Sequence, residues 1–355
     1  MSVDTILITC AGSGGANNLM RSIRASSYSD AILVGTDSDR VLLQKSKADH
    51  NYAVPRGDDP AYVDAINAIC SQHEVDIFVP QHEIEVRNVA SQREDIEATV
   101  LLPSETTVRL CLDKYNLQER LADKGFPVPE TASLAETSID EAFNRMSKGE
   151  PLWCRSRYGS SSMEARPVRT PTQAREWIKY WVERGGRSFE EFTLAEFLPG
   201  KDYQVFTLWN DGDLVLGKAC DRQRYFFGQE YTGASTPLVS QLIDRPDLHE
   251  TAQAVIEEVA PNATGNLGID FKMSANGVAK ITEINVGKFV MVNDFFNLTG
   301  EHNMAELFLD IAKGADPHPE PTWGDVDTDM FLIRGIDLEP DIVHRDDIAA
   351  TQELS

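Results

Sequence analysis

The sequence is short of positive charge, of long apolar runs and of paired cysteines, and each shortage closes a class of function. Its 33 Lys and Arg stand against 57 Asp and Glu, a formal charge of -24 over 355 residues. No general basic field exists to draw in nucleic-acid phosphates or an anionic membrane surface. An anionic ligand must find a local nest of positive charge. No stretch approaches the ~20 apolar residues of a membrane-spanning helix, and the ILITCAG run at 6–12 is too short for a span and carries no basic leader. Cysteines at 10, 70, 111, 154 and 220 show neither zinc-binding nor redox spacing, which points to buried thiols in a reducing compartment. A cytoplasmic location is the expectation. Internal repeats and low-complexity segments are missing as well, which removes solenoids and disordered tracts. With 41% hydrophobic residues at this length, two packed globular units are expected.

What is present is a change of rhythm along the chain. From 5 to about 102, short apolar strands (TILITCAG, AILVGTD, DIFVPQ) alternate with helical stretches (NNLMRSIRAS, PAYVDAINAICSQHE). That alternation predicts a parallel sheet with helices on both faces. Residues 111–124 read as one helix, ended by Gly125 and Pro127. From about 150 to 290 the pattern becomes antiparallel. PLWCRSRYGSSS is a strand running into a loop, TLAEFLPGKDYQVFTLWNDGDLVLGKA is two strands about an Asn-Asp-Gly turn, and GNLGIDFKMSANGVAKITEIN is a hairpin. A domain boundary near 110 follows. Beyond Gly314 the chain turns Pro-rich and acidic, with DMFLIRG as one further candidate strand.

Two constellations carry chemistry. If Asn276-Gly277 forms a two-residue turn, Ala275 faces Val278, and counting back sets Asp270 opposite Glu283 with Asn285 on the same face. Like charges directly across a strand pair repel unless something neutralises them. Two carboxylates and an amide oxygen suit a hard cation such as Mg²⁺; a solvated acidic face is the other reading. Ile269 and Phe271, with Thr282 and Ile284, would line the dry side. The second constellation is Arg155 and Arg157, two apart on one strand and so on one face. They open into a loop of Gly159, Ser160, Ser161 and Ser162 whose amides and hydroxyls suit phosphate oxygens. An exposed loop with two solvated arginines is the alternative.

Near the N-terminus, Gly12, Gly14 and Gly15 follow a strand and Asp37 ends the next, in the manner of a dinucleotide-binding turn, but a third glycine at the required place is missing. The turn therefore reads as a substrate-anion site or a tight connection. The substrate pocket is expected between residues 13–18, the HEIEVR segment and the antiparallel unit. Glu83 and Glu85 there read as exposed loop carboxylates, with ammonium binding as the alternative.

Taken in order, these pieces resemble the ATP-grasp superfamily over about residues 5–310, and are most similar to standalone ligases resembling half of a carbamoyl-phosphate synthase large subunit. DKYNLQERLADKGFPVPET is similar to the entry helix, PLWCRSRYGSSS to the phosphate loop, LAEFLPGKDYQVF to the adenine hinge, and GIDFK with ITEINVGK to the metal-binding hairpin. The resemblance implies an α/β (α+β) protein. A Rossmann-like pre-ATP-grasp domain would occupy 1–110, an ATP-grasp domain with an antiparallel-sheet core and a mobile lid (about 125–190) would occupy 111–315, and an acidic extension 316–355.

It also implies site residues. Lys114 and Arg155 would contact ATP phosphates, together with Arg157, Lys218 and the loop of Gly159, Ser160, Ser161 and Ser162. Glu196 and the backbone of Phe197 and Leu198 would meet the adenine, and Asp202 the ribose. Asp270, Glu283 and Asn285 would hold one or two Mg²⁺, or Mn²⁺. Many members place an Arg after the Glu-x-Asn motif; here Lys288 stands nearby, a point charge in place of a fork. Arg222 or Arg224 could supply the guanidinium, or lie in an ordinary surface loop. Catalytic roles thus fall on Arg155, Lys288, Arg222 and Arg224. The implied activity activates a small-molecule carboxylate as an acyl phosphate for capture by an amine. The alternatives are a carboxyphosphate-forming, carbamoyl-phosphate-synthase-like enzyme and a non-catalytic ATP-binding regulator. Oligomeric state is open, with a homodimer as the base-rate expectation.

Overall fold

The computed structural model describes residues 4–159, 164–226, 236–336 and 338–349. Its first hundred residues fold as β1 (Thr5–Ile8), α1 (Gly14–Arg24), β2 (Ile32–Asp37), β3 (His50–Ala53), α2 (Tyr62–His73), β4 (Ile77–Val79) and α3 (Glu83–Ser91). The strands form a parallel sheet in the order β3-β2-β1-β4. β1 and β4 are buried throughout, as expected of strands covered by helices on both faces. Ser13 caps α1 by accepting from the Ala16 N–H.

Two helices follow, α4 (Glu105–Leu112) and α5 (Lys114–Asp123). The expected single helix over 111–124 is thus broken at Asp113. Its side chain accepts from the N–H groups of Tyr115 and Asn116, and a short carboxylate caps a helix better than it continues one. Gly125, at φ 81, ends α5.

Residues 131–196 build a small antiparallel sheet in the order β5-β8-β6-β7, from β5 (Thr131–Ser133), β6 (Leu152–Ser156), β7 (Arg166–Val168) and β8 (Phe192–Glu196). α6 (Ile139–Met146) and α7 (Pro171–Glu183) cover it. Its apolar residues, among them Phe143, Leu152, Ile178, Phe192 and Leu194, form a core of their own.

The central sheet has seven strands among the described residues, ordered β13-β12-β9-β10-β11-β14-β15. They are β9 (Asp202–Asn210), β10 (Asp213–Tyr225), β11 (Pro237–Ile243), β12 (Gly265–Met273), β13 (Ala279–Val286), β14 (Met330–Gly335) and β15 (Leu338–His344). α8 (Pro246–Val259), α9 (Asn293–Asn297), α10 (Met304–Ala312) and the terminal α11 (Arg345–Ala349) complete the chain. Asp211 (φ 48) and Gly212 (φ 93) make the β9–β10 turn, the left-handed pair a tight hairpin needs. The DMFLIRG segment does form a strand, β14, and β15 joins it at the sheet edge.

The N-terminal sheet and the central sheet share their cores. One cluster joins Leu7 and Phe78 to Trp209, Leu267 and Ile284, and another joins Ile6 and Leu19 to Phe206 and Phe295. Hydrogen bonds from Asn18 Nδ2 to the Met291 carbonyl (2.8 Å) and from Asn293 Nδ2 to the Gly15 carbonyl (3.1 Å) hold α1 against the segment after β13.

Candidate active site

Asp270 of β12 pairs directly with Glu283 of β13. The route to that register differs from the two-residue turn. Ser274 faces Val278 across a three-residue loop, with its N–H donating to the Val278 carbonyl at 2.8 Å, so the strands leave the tip one residue out of step. A bulge between Phe271 and Asp270 absorbs the difference. The bulged residue is Thr282, and Ile281 is the residue that joins Phe271, Ile269 and Ile284 on the dry side.

The pair fits a hard divalent cation. Burial, Glu283 and Asp202 together push the Asp270 carboxyl up to about 6, against the opposing pull of Arg222. Burial does most of this, and the neighbouring carboxylates add to it. Burial also pushes Glu283 upward, but Lys114, Arg155 and Lys288 outweigh it and hold that carboxyl below its ordinary value. Asn285, opposite Gly268 and two residues beyond Glu283, adds an amide oxygen on the same face. Two carboxylates and an amide are the donor set Mg²⁺ accepts.

Cations reach this pair from separate elements. Lys114 begins α5; its Nζ donates to the Gly159 carbonyl at 2.5 Å and stands 3.8 Å from Glu283 Oε2. Arg155 is buried on β6 and its Nη2 donates to the carbonyl of the bulged Thr282 at 3.1 Å. Arg222 on β10 donates through Nη1 to Asp270 Oδ2 at 3.1 Å. Lys288 follows β13, and its charge acts on Glu283 on one side and on Cys10 and His82 of the N-terminal unit on the other. With Lys272, which reaches Asp202 at 3.5 Å, five cations gather around Asp202, Asp270 and Glu283. In a chain of charge -24, this is a local excess of positive charge, suited to a polyanion.

Several expected roles are corrected. Arg157 does not stand beside Arg155 on the strand, which ends at Ser156. It grips Asp113 with two hydrogen bonds, 3.1 Å from Nε and 2.6 Å from Nη2. Lys218 is fully buried, donating to the carbonyls of Phe296, Thr299 and His302 at 2.8–2.9 Å and pairing with Asp325 at 2.9 Å. No donor is left for a nucleotide. Asp202 is enclosed by Arg222, Tyr225 and Lys272 rather than open to a ribose. Arg224 is exposed at an irregular stretch of β10. Glu85 lies on a helix, not in a loop, and is buried, accepting from Thr9 Oγ1 at 2.5 Å. At the Gly-rich turn, Asp37 accepts from the Gly12 N–H, and a Cβ on Gly12 would strike the Leu42 carbonyl, so that turn is a tight connection.

Glu196 ends β8 and receives Lys280 Nζ at 2.5 Å, with Phe197 half-buried and Leu198 buried just beyond it. Gly159 is described, at φ 103; Ser160, Ser161 and Ser162 lie outside the described residues. Sequence reasoning missed Asp113, Gln204 and Lys272. Asp113 had a local signal, since Asp three residues before Asn116 in a helical pattern reads as a cap. Gln204 and Lys272 had none, because each is defined by a partner on another strand.

Residues 111–286 match a family model described as an ATP-grasp domain, and residues 6–101 match one described as a PylC-like N-terminal domain. No curated protein matches the chain. Among solved structures, biotin carboxylase from Campylobacter jejuni superposes with a TM-score of 0.70 at 16% identity, covering 94% of this chain and 75% of that one. N5-carboxyaminoimidazole synthetase from Staphylococcus aureus, complexed with ADP, gives 0.70 at 13% identity over 95% and 83%. L-amino acid ligase from Bacillus licheniformis gives 0.69 at 11% over 93% and 78%. At such identities the likeness is one of fold.

Proposed function

Residues 111–286 match an ATP-grasp domain, a family whose members use ATP with Mg²⁺, and from that premise we propose that the chain is an ADP-forming carboxylate–amine ligase. It would transfer the γ-phosphoryl group of ATP to a substrate carboxylate and let an amine displace the phosphate, forming a C–N bond. The observation that carries this reading is the meeting of Lys114, Arg155, Arg222 and Lys288 around the opposed Asp270–Glu283 pair.

Lys114 and Arg155 bind phosphate oxygens from opposite sides, one from a helix N-terminus and one from a buried strand. Arg157 holds Asp113, and Asp113 caps the helix that Lys114 begins, so this pair aims Lys114. Phe197 and Leu198 connect the small sheet to the central sheet and meet the adenine, with Glu196 beside them. Lys288, between Glu283 and the N-terminal unit, orients the attacking carboxylate towards the phosphoryl group. Asp270, Glu283 and Asn285 would hold a Mg²⁺, which would supply neutralisation of charge on that group. The small sheet, with a core separate from the rest, acts as the lid that keeps water from the acyl phosphate.

The test is ADP release from Mg-ATP across a panel of carboxylates and amines, run beside Glu283→Gln. Turnover requiring one carboxylate and one amine, lost in the variant, supports the reading and names the substrates. ATP binding with no turnover across the panel would favour a regulatory protein, and absence of ATP binding would sink both.

A further inference from the structure

Both carboxylate oxygens of Asp270 are already engaged. Oδ1 accepts from Gln204 Nε2 at 2.8 Å, and Oδ2 accepts from Arg222 Nη1 at 3.1 Å. Arg222 is not held by Asp270 alone. Its Nε donates to Asp202 Oδ1 at 3.0 Å, and Nη2 donates to the same oxygen. Asp202 in turn accepts from Tyr225 Oη at 2.5 Å and lies 3.5 Å from Lys272 Nζ. The Arg222 side chain is only 9% exposed, and those of Asp202 and Asp270 are 12% and 8% exposed. Charge interactions here are therefore weakly screened.

The arrangement is asymmetric. Two of the three donating nitrogens anchor Arg222 to Asp202, an aspartate with further partners of its own. One nitrogen alone reaches Asp270, the residue on which a divalent cation depends. We propose that Arg222 is the resident counter-cation of the metal site: it occupies Asp270 in the nucleotide-free protein, and on arrival of a divalent cation with a nucleoside triphosphate it keeps its hold on Asp202 and turns Nη1 to a phosphate oxygen. The inference rests on the nucleotide reading above and adds a rule of occupancy to it. Arg222 disfavours a bare divalent cation, because Asp270 must be released before it can ligate. A cation arriving with a polyphosphate is admitted, because the phosphate gives the displaced guanidinium a new anionic partner. Free Mg²⁺ is thereby kept from sealing the site before nucleotide enters.

The rule makes an outcome in which removing a basic residue improves binding of a cation. Mn²⁺ is the probe, titrated into nucleotide-free protein with the free ion followed by electron paramagnetic resonance. Relative to wild type, Arg222→Met is expected to bind Mn²⁺ roughly tenfold more tightly, the scale of one charge-assisted contact removed from Asp270. Its melting temperature should fall without metal and recover with Mn²⁺ by more than the wild type gains. Arg222→Lys guards against misfolding: a single ammonium keeps the charge beside Asp202 but cannot span both carboxylates, so it too should bind Mn²⁺ more tightly than wild type. Binding of ATP with Mn²⁺ should weaken in both variants. Mn²⁺ affinity equal to or below wild type in folded Arg222→Lys would overturn the proposal. The Mn²⁺ arm contains no nucleotide, and ADP titration of the wild type scores the nucleotide reading separately.

Discussion

Asp270 and Glu283 oppose each other because two one-residue irregularities cancel: the three-residue loop at the hairpin tip and the bulged Thr282 between tip and site. The bulge has a further effect. It frees the Thr282 carbonyl from regular pairing and turns it to Arg155 Nη2 at 3.1 Å and to Gln118 Nε2 at 3.3 Å. The irregularity that restores the carboxylate pair thus also seats a cation beside it.

Glu283→Gln keeps shape and removes one of the two opposed charges. Turnover should drop on the order of 100-fold or more, the scale on which one electrostatic contact at a reacting phosphoryl group is felt, with the melting temperature close to wild type. Steady-state ADP release beside differential scanning calorimetry checks this. Near-normal turnover in a folded variant would remove Glu283 from the site.

Asp113→Asn should act through Arg157, because Asn caps a helix about as well as Asp. Burial raises the Asp113 carboxyl, but Arg157, the Asn116 N–H and Tyr158 outweigh it, so its pKa lies below the ordinary value of 3.8. A lowered acid contributes stability that is present above that value and lost as pH falls through the lower, folded one. The variant should be less stable by about 1–3 kcal/mol at pH 7, and the gap should narrow below pH ~4. Urea denaturation at pH 7 and at the lowest pH that keeps the fold measures both.

Lys218→Ala separates structure from ligand binding. The ammonium is wholly buried against three carbonyls and Asp325, and removing one partner of a buried pair costs about 3–5 kcal/mol. The variant should lose that stability yet bind ATP with unchanged affinity below its melting range. A weakened ATP affinity in folded protein would restore Lys218 to the nucleotide site.

Gly217→Ala probes how the C-terminal segment is held. A Cβ there would lie 1.9 Å from the Trp323 ring, and Trp323 itself stacks on His249 at 4.4 Å. Overpacking should cost about 1–3 kcal/mol and speed proteolysis between 314 and 330. Adding Trp323→Ala should recover part of the loss; no recovery in the double variant would mean that the contact is not the cause.

Local pattern made much of this legible. Alternation with period two put Glu283 and Asn285 on one face, and strand–helix alternation gave the parallel sheet, because both depend only on near neighbours along the chain; the pairing with Asp270 depended on a loop and a bulge that cancel. The burial of Glu85 escaped that reading, since packing decides whether a carboxylate is buried, whereas the break at Asp113 did carry a local signal in its capping carboxylate.

Which charges meet was decided by tertiary structure alone. Lys218 and Arg222 lie four residues apart on one strand, both basic, and nothing local separates them. One is sealed by carbonyls 78 to 84 residues away in sequence, the other spans aspartates 20 and 48 residues away. The sequence by itself determined which side chains share a strand face. The partner of each charge depended on which distant segments the fold brought against that face, and a long-range contact leaves no periodic trace in the chain that makes it.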